Sequence, residues 1–347
     1  MNNTKKALFA KPKHLGDTVI LTSAIAAMPP GWVVDVYVLE ASAELIRLCP
    51  RVSKVFFSER RLHPLRRFLK TISMLFKIKK EKYDLLVAFS DHPKNALLSL
   101  AAVAKVSAAI LSPKRENAWW WRVAFQELVR PIDSHAAMAD LSILNAVIET
   151  GKSLPPPYSL AVGRNAAEYK ARQYSRKIIF QAASRWRFKQ LPVTVVADFI
   201  NHLLTKNYEI VLTGGPGDTG LNDQINAATG YKCGRFESRP FGDLLVEVES
   251  ASFVISVDSF MVHFASAVGI PVLAIYGPTD SKFWAPWETE SIVLSQANLY
   301  SRCMPCNRDG CLGTKRSDCL ETLPLPAIKS AFSDLEESNA QKLASLL

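Results

Sequence analysis

The first half of the chain alternates short apolar runs with longer stretches whose apolar residues recur at helical spacing. The short runs predict strands at Ala7–Lys11, Val33–Leu39, Lys54–Phe57, Leu85–Phe89 and Ala108–Leu111. The longer stretches predict helices at Thr18–Met28, Ala41–Leu48, Leu65–Ile78, Lys94–Ala104 and Ala136–Glu149. Strands that alternate with helices favour a parallel sheet covered on both faces.

The second half repeats this pattern after a proline-rich break. The stretch "KSLPPPYSL" cannot continue a helix or a central strand, so it is interpreted as linker sequence. Strands are then predicted at Lys177–Gln181, Glu209–Thr213, Phe253–Val257 and Pro271–Tyr276, and helices at Pro192–Lys206, Leu221–Ala228 and Ala327–Leu347. The expected organisation is a Rossmann-like acceptor-binding domain at 1–155, a linker at 156–176, a Rossmann-like nucleotide-sugar domain at 177–325 and a C-terminal helix at 326–347.

The composition is that of a globular protein. The chain has 347 residues, of which 48% are hydrophobic and 21% charged, and this length suits two domains of about 150 residues. No apolar stretch reaches the roughly 18–20 residues that a membrane span requires. The N-terminal segment lacks the apolar region of a signal peptide, so a cytoplasmic location is expected.

The formal net charge of +10 predicts an acidic partner. Between Arg51 and Lys82 there are eleven Lys and Arg residues against two acids, with apolar residues interleaved. This segment is either a solvated helix face or a surface for anionic lipid headgroups or a phosphorylated acceptor. Its candidate contact residues are Arg60, Arg61, Arg66 and Arg67. No nucleic-acid-binding motif accompanies the charge, so nucleic acid is not an expected partner.

Two further patterns have alternative interpretations. The run Trp119-Trp120-Trp121 suits either a membrane-interface anchor or a buried aromatic cluster. Four cysteines follow the spacing C-x2-C-x4-C-x7-C, at Cys303, Cys306, Cys311 and Cys319. Four thiolates can hold tetrahedral zinc, but this spacing differs from that of common zinc ribbons. A reduced cluster that packs a loop, without metal, is the favoured interpretation.

The first two of four polar loops that follow predicted strands carry a carboxylate and cations. In "KPKHLGD" Asp17 stands at the start of a helix, where it is either a helix N-cap or a general base. In "QAASRWRFKQLP" a hydroxyl and two cations, from Ser184, Arg185 and Lys189, suit a diphosphate. The alternative for this second loop is a solvated basic surface.

The other two loops suit the close approach of an anionic ligand. In "LTGGPGD" Gly215 permits close backbone approach and Asp218 follows it, although an ordinary strand-to-helix turn has the same composition. Asp258 ends a strand and Ser259 begins a helix, whose N-terminus attracts anions. His263 lies about one turn further on, where a lone histidine is more often a core residue. Four such loops at strand ends favour one shared site.

These stretches together resemble the lipopolysaccharide core heptosyltransferases. The resemblance rests on "HLGDTVILTSAI", "SRWRFKQLP", "LTGGPGD", "VDSFMVHFASAVGIPVLAIYGPTDSKFWAPW" and "CMPCNRDGCLGTKRSDCL", and it is strongest to the type that adds a third, branching heptose. It implies a GT-B fold, an α/β architecture of two Rossmann-like domains that face each other across a cleft. Where this chain has Phe260, many members of the family have glycine.

The resemblance also implies an activity and a role for each candidate residue. The activity is inverting transfer of heptose from ADP-L-glycero-β-D-manno-heptose to a lipid A–core acceptor, at the cytoplasmic face of the inner membrane. Asp17 is then the base, and Lys189 stabilises the leaving group. The residues that contact the donor are Ser184, Arg185, Gly215, Asp218, Asp258, Ser259 and His263. No D-x-D pair of aspartates occurs in the chain, so no metal cofactor is expected.

Two alternatives belong to other functional classes. A transferase, epimerase or hydrolase on the same fold would use another nucleotide-activated sugar, and the epimerase or hydrolase would need no acceptor. A non-catalytic protein would use its basic surface to bind anionic surfaces, and it would have no affinity for ADP.

Overall fold

The computed structural model describes residues 4–59, 63–132, 134–160 and 175–345. The chain divides into two compact units, Met1–Ala161 and Val162–Leu347. None of the helices that the described residues form is long and apolar enough to span a bilayer.

The first unit is a parallel α/β sandwich built on a six-stranded sheet. Its strands are β1 (Lys5–Ala10), β2 (Trp32–Leu39), β3 (Val52–Ser58), β4 (Leu85–Ala88), β5 (Val106–Ile110) and β6 (Glu127–Val129). Its helices are α1 (Leu15–Ala27), α2 (Ala43–Ile46), α3 (Pro64–Glu81), α4 (Lys94–Ala102), α5 (Trp119–Ala124) and α6 (Ala136–Asn145). The strand order is β3-β2-β1-β4-β5-β6, which is the Rossmann order.

Two hydrophobic clusters cover the two faces of this sheet. On one face, α1, α2 and α6 contribute residues such as Leu21, Ile46 and Leu144 to a buried cluster. On the other face, α3, α4 and α5 contribute residues such as Ile78, Leu98 and Trp121. Burial on both faces explains why the central strands read as continuous apolar runs in the sequence.

The second unit has the same architecture. Its strands are β7 (Lys177–Gln181), β8 (Glu209–Gly214), β9 (Gly234–Glu237), β10 (Phe253–Val257), β11 (Val272–Tyr276) and β12 (Ser291–Ser295). Its helices are α7 (Val193–Thr205), α8 (Thr219–Ala228), α9 (Phe241–Glu249), α10 (Phe260–Val268), α11 (Asp318–Glu321) and α12 (Leu325–Ser345). All neighbouring strands are parallel, in the order β12-β11-β10-β7-β8-β9, which is the Rossmann order again.

The predicted α/β class with two Rossmann-like halves is therefore confirmed. Three strands, β6, β9 and β12, and three helices, α5, α9 and α11, are absent from the sequence predictions. All three missed strands lie at sheet edges. An edge strand is covered less completely than a central one, so it lacks the apolar run that marks a buried parallel strand.

The predicted linker at 156–176 lies largely outside the described residues. Its first five residues pack against the first unit instead of extending away from it. Tyr158 and Leu160 are buried, the Ser23 hydroxyl donates to the Pro156 carbonyl, and the Ser159 N–H donates to Thr22 Oγ1 at 3.0 Å. The proline run thus ends the first unit on the surface of α1.

Candidate active site

Three of the candidate residues follow strands that flank the point where a sheet reverses its strand order. This point lies between β1 and β4 in the first unit and between β7 and β10 in the second. In open α/β sheets, ligands bind beyond the carboxyl ends of the strands at such a point. Asp17 follows β1, Lys189 follows β7 and Asp258 follows β10.

Asp17 lies in the first turn of α1 and is not its N-cap. The helix begins at Leu15, and His14 occupies the N-cap position. The N-cap alternative is therefore wrong. The Asp17 residue is only 8% exposed, and its Oδ1 atom lies 3.1 Å from Nζ of Lys13. This geometry gives a buried carboxylate held by one ammonium group.

The electrostatic environment keeps the Asp17 carboxylate ionised. Burial alone raises the pKa of this carboxyl, but the Lys13 and Lys11 ammonium groups, with a smaller contribution from His14, outweigh burial and hold the pKa of Asp17 below its ordinary value. An ionised carboxylate at neutral pH is the form that accepts a proton. The arrangement is therefore competent for base chemistry.

A second ion pair supports the first, and the sequence analysis did not identify it. Lys11 Nζ lies 2.6 Å from Oδ2 of Asp140, and both side chains are buried. Burial raises the pKa of Asp140 more than Lys11 lowers it. The feature of the sequence that could have indicated Asp140 is that it is the single acid in the apolar stretch "AAMADLSIL". This stretch lies within α6.

In the second unit, Lys189, from the loop after β7, forms an ion pair with Asp258, which directly follows β10. Lys189 Nζ lies 2.7 Å from Asp258 Oδ2, and the Thr279 hydroxyl donates to the same oxygen. Ser184 Oγ donates to the Asp258 main-chain carbonyl at 2.9 Å. Three predicted residues thus come together, and Thr279, from the "GPTD" stretch, is an addition to them.

The α10 N-terminus adjoins this ion pair and is capped by Ser259. Ser259 Oγ accepts a hydrogen bond from the Met261 N–H at 3.2 Å and lies 3.0 Å from Ser256 Oγ. The first turn of a helix presents N–H groups and a partial positive charge to an anion. A helix N-terminus and a lysine on neighbouring strand ends make a suitable phosphate site.

Phe260, where the family resemblance leads us to expect glycine, packs into an aromatic cluster. Its ring lies edge-on to Phe241 and Phe264, with centroid distances of 6.0 and 5.7 Å. A phenylalanine at this position either points its side chain away from the donor site or crowds it. Packing against α9 and the second turn of α10 favours the first alternative.

The glycine-rich loop after β8 is closed by its own aspartate. The Gly215 N–H donates to Asp218 Oδ2 at 2.8 Å. A Cβ added at Gly215 would meet nothing closer than this oxygen, at 3.8 Å, so the fold alone does not demand glycine there. Close approach of a ligand remains a sufficient reason for the residue.

The remaining predicted donor residues differ in exposure. Arg185 is exposed, with its guanidinium 5.3 Å from the Trp186 ring centroid. His263 is buried, 4% exposed, with its ring 6.3 Å from Trp284. Burial matches the alternative of a core histidine, and direct contact with a ligand remains a prediction.

The predicted acceptor or membrane residues are only partly described. Arg60 and Arg61 lie outside the described residues, whereas Arg66 and Arg67 are exposed on α3. Within the tryptophan run, Trp121 is buried, as the aromatic-cluster alternative requires, whereas Trp119 is 73% exposed and its role as a membrane anchor stays a prediction.

The zinc alternative finds no support in the geometry of the cysteine-rich segment. Across the described parts of the chain, no group of three or more His, Cys, Asp or Glu side chains is placed to hold a metal ion. All six cysteines are free thiols, and burial raises the pKa of Cys319 to about 11, with a further contribution from the three neighbouring cysteines.

Comparisons with known proteins identify the family of this chain. Residues 72–315 match the family model "Glycosyltransferase family 9 (heptosyltransferase)". Lipopolysaccharide heptosyltransferase 3 of Escherichia coli K12 is 24% identical over 311 residues, which cover 86% of this chain and 89% of that protein.

Solved structures share the fold along nearly the whole chain. E. coli ADP-heptose lipopolysaccharide heptosyltransferase II aligns with a TM-score of 0.74 at 17% identity, covering 96% of this chain and 99% of that one. E. coli heptosyltransferase WaaC, solved with ADP-2-deoxy-2-fluoro heptose, aligns with a TM-score of 0.67 at 17% identity, covering 95% and 99%. The family match spans well over half of the sequence, and the chain belongs to glycosyltransferase family 9, the heptosyltransferases, and is a glycosyltransferase.

Proposed function

We propose that this enzyme transfers L-glycero-D-manno-heptose from ADP-heptose to a sugar hydroxyl of the lipopolysaccharide inner core, with inversion at the anomeric carbon. The observation that carries the proposal is the Lys189–Asp258 ion pair beside the capped N-terminus of α10, since this combination suits the diphosphate of a nucleotide sugar. The choice of heptose as the transferred sugar rests on family membership and on the heptosyltransferase names of the relatives. The choice of ADP as the activating group rests on the structure of WaaC with ADP-2-deoxy-2-fluoro heptose.

The proposed reaction is a single displacement. The acceptor hydroxyl oxygen attacks the anomeric carbon, its proton passes to the Asp17 carboxylate, and the bond between that carbon and the phosphate oxygen breaks. ADP leaves with the bonding electron pair, and Lys189 and the α10 N-terminus stabilise its charge. The proposal requires Asp17 and Lys189 to act on the same donor and acceptor pair.

Asp258 has a defined part in this proposal. A carboxylate in direct contact with a diphosphate would repel it, so we infer that Asp258 acts by holding the Lys189 ammonium group in place. Thr279 and Ser184 in turn hold Asp258 through its carboxylate and its main-chain carbonyl. Around this centre, Arg185, Gly215, Asp218, Ser259 and His263 remain proposed donor contacts, and no cofactor is proposed.

We also propose that the enzyme works on the cytoplasmic face of the inner membrane as a peripheral protein. The proposed acceptor is anchored there by its lipid A part. The support from this chain is its net charge of +10 and the exposed cations Arg66 and Arg67 on α3. Arg60 and Arg61 remain predicted members of the same surface.

A transfer assay with defined substrates tests the proposed reaction. Purified enzyme is incubated with ADP-L-glycero-β-D-manno-heptose and with core oligosaccharide from cells that lack the gene. The masses of the products are measured by mass spectrometry. The expected product is the acceptor carrying one additional heptose, formed only when both substrates are present. Release or isomerisation of heptose at the same rate with and without acceptor would instead identify the hydrolase or epimerase alternative. The same assay with ADP-glucose in place of ADP-heptose tests whether the enzyme selects heptose as the transferred sugar.

A further inference from the structure

Three helices of the first unit form one layer whose outer faces share a surface. Contacts join α3 to α4 and α4 to α5. Buried residues of all three, among them Ile78, Leu98 and Trp121, belong to one hydrophobic cluster on a single face of the sheet. The outer sides of these helices therefore point away from the same sheet face, and together they are called the three-helix face.

The three-helix face exposes an unusual amount of apolar side chain. Nine of the eighteen large hydrophobic residues exposed among the described residues lie in these three helices or at the α4 C-cap. They are Leu65, Phe68, Leu69, Phe76, Leu97, Leu100, Val103, Trp119 and Val123. Scattered single residues of this kind are ordinary, but such concentration on neighbouring elements marks an interaction surface.

Within α3 the apolar and basic residues are sorted by helical position. Leu65, Leu69 and Phe76 are separated by four and seven residues, so they line one stripe of the helix. Each is more than half exposed, with values of 62%, 56% and 62%. Arg66 and Lys77 lie to one side of this stripe. A helix with an apolar stripe beside a basic face suits the plane of a membrane interface.

The charge of the three helices is predominantly positive. Six Lys or Arg residues lie in α3 and one each in α4 and α5, against a single acid, Glu81. Glu81 is already paired with Lys6 and Lys54. An apolar surface with this excess of positive charge complements anionic lipid headgroups, and the same excess opposes pairing with a second copy of itself.

We propose that the three-helix face docks on an anionic bilayer, with the apolar side chains of α3, α4 and α5 entering the headgroup region and the flanking cations contacting lipid phosphates. This inference rests on the proposed membrane location and names the surface responsible for it. The partner is an anionic bilayer, and a second copy of the chain is an outcome that the test can distinguish.

Vesicle co-sedimentation of the full chain tests the docking surface. Wild-type protein is mixed with vesicles of phosphatidylcholine alone or of phosphatidylcholine with phosphatidylglycerol, without donor or acceptor. Binding is expected only to the anionic vesicles, and it should weaken as salt shortens the Debye length from about 10 Å at 0.1 M to about 3 Å at 1 M. The substitutions Leu65→Gln, Phe68→Gln and Leu69→Gln together should reduce binding by about tenfold or more, because they remove apolar burial.

A matched control carries three glutamines on equally exposed apolar positions elsewhere. Leu154, Val246 and Leu299 are 61%, 66% and 73% exposed and lie outside the three-helix face. Their triple glutamine variant should bind vesicles like wild type. Glutamine is a good helix former, and thermal melting followed by circular dichroism checks that both variants are folded.

Three outcomes would overturn the docking proposal. The first is a lack of binding of wild-type protein to anionic vesicles, and the second is equal binding by the two triple variants. A wild-type dimer that the α3 variant dissociates in analytical ultracentrifugation, without vesicle binding by either protein, would identify the face as a contact between copies. None of these results depends on transferase activity, so failure of docking and failure of the proposed reaction are distinguishable.

Discussion

The Asp17 carboxylate illustrates how one residue is tuned by opposing effects. Its burial alone would raise the pKa, and the nearby lysines reverse that direction. The carboxylate is therefore ionised in a site that shields it from water. Since the ion pair with Lys13 lowers the pKa in the folded state, the stability that it contributes is present above the pKa of the unfolded carboxyl. That contribution is lost as pH falls through the folded value.

The first prediction follows from removing the nearest cation. In Lys13→Ala, burial remains while the ammonium 3.1 Å from Asp17 is gone, so the pKa of Asp17 should rise. The proposed base works only when deprotonated, so the acidic limb of the pH profile of kcat/KM should move to higher pH. The loss of activity relative to wild type should be larger at pH 5 than at pH 8.

Two variants make this test specific. Lys13→Arg keeps the positive charge and should retain the wild-type limb. Lys105→Ala removes an exposed ion pair of the same unit, the one with Asp84 at 2.7 Å, and should leave the profile unchanged. An unshifted acidic limb in Lys13→Ala would show that Lys13 does not control the base.

The second prediction concerns the leaving group. Lys189→Ala should lower kcat by about 100–1,000-fold, as is typical when one preorganised charge-stabilising group is removed. Lys177→Ala is the matched control, because Lys177 lies at the other end of β7 and forms a comparable ion pair with Glu247 at 2.9 Å. Steady-state kinetics of both variants provide the comparison, and a similar loss in the two would mean a general effect on stability.

The sequence identified the residues that follow strands but not all of their partners. Asp17, Lys189 and Asp258 were predictable because a polar residue after an apolar run stands out. Asp140 and Thr279 were missed because their importance arises from contacts across 129 and 21 residues of chain, with Lys11 and Asp258. No local sequence pattern encodes contacts between residues so far apart in the chain. Only the order of the strands in the folded sheet brings these residues together.

At the scale of elements, prediction succeeded where burial is complete. Central strands such as β1 and β10 are buried on both faces and were identified within about two residues. The edge strand β9 contains only Gly-Arg-Phe-Glu, and β6 contains only Glu-Leu-Val. The partners of these strands compensate for weak local preference, which is why the segments became strands without a strand-like sequence.

The third prediction separates the capping role of Ser259 from its proposed role in binding. Ser259→Ala removes the hydrogen bond to the Met261 N–H and should destabilise the enzyme by about 1 kcal/mol. Ser259→Asp restores a capping oxygen, so the melting temperature should return toward the wild-type value. Its negative charge at the helix N-terminus should repel a diphosphate, so the affinity for ADP should fall.

Calorimetric titration with ADP and thermal melting measure the two effects independently. If Ser259→Asp bound ADP as tightly as wild type, the α10 N-terminus would not be the diphosphate site. A melting temperature of Ser259→Ala equal to that of wild type would instead show that the cap contributes nothing to stability.

At the scale of the whole molecule, the sequence revealed a repeated architecture. Both units follow the same Rossmann strand order, and Asp17, Lys189 and Asp258 follow strands that flank the reversal of that order. The repeat was predictable because each half alternates strands and helices on its own side of the proline-rich segment. The acceptor sugar was not predictable, because its recognition depends on the shape of a surface and not on any single motif.

The most direct test of the central claim is the mass of the lipopolysaccharide core from three strains: wild type, a deletion of this gene, and the deletion complemented with Asp17→Asn. The core of the deletion strain should be lighter by one heptose, and the complemented strain should keep this lighter core, although its enzyme is folded and binds ADP. An unchanged core mass in the deletion strain, or full restoration by Asp17→Asn, would contradict heptose transfer with Asp17 as its base.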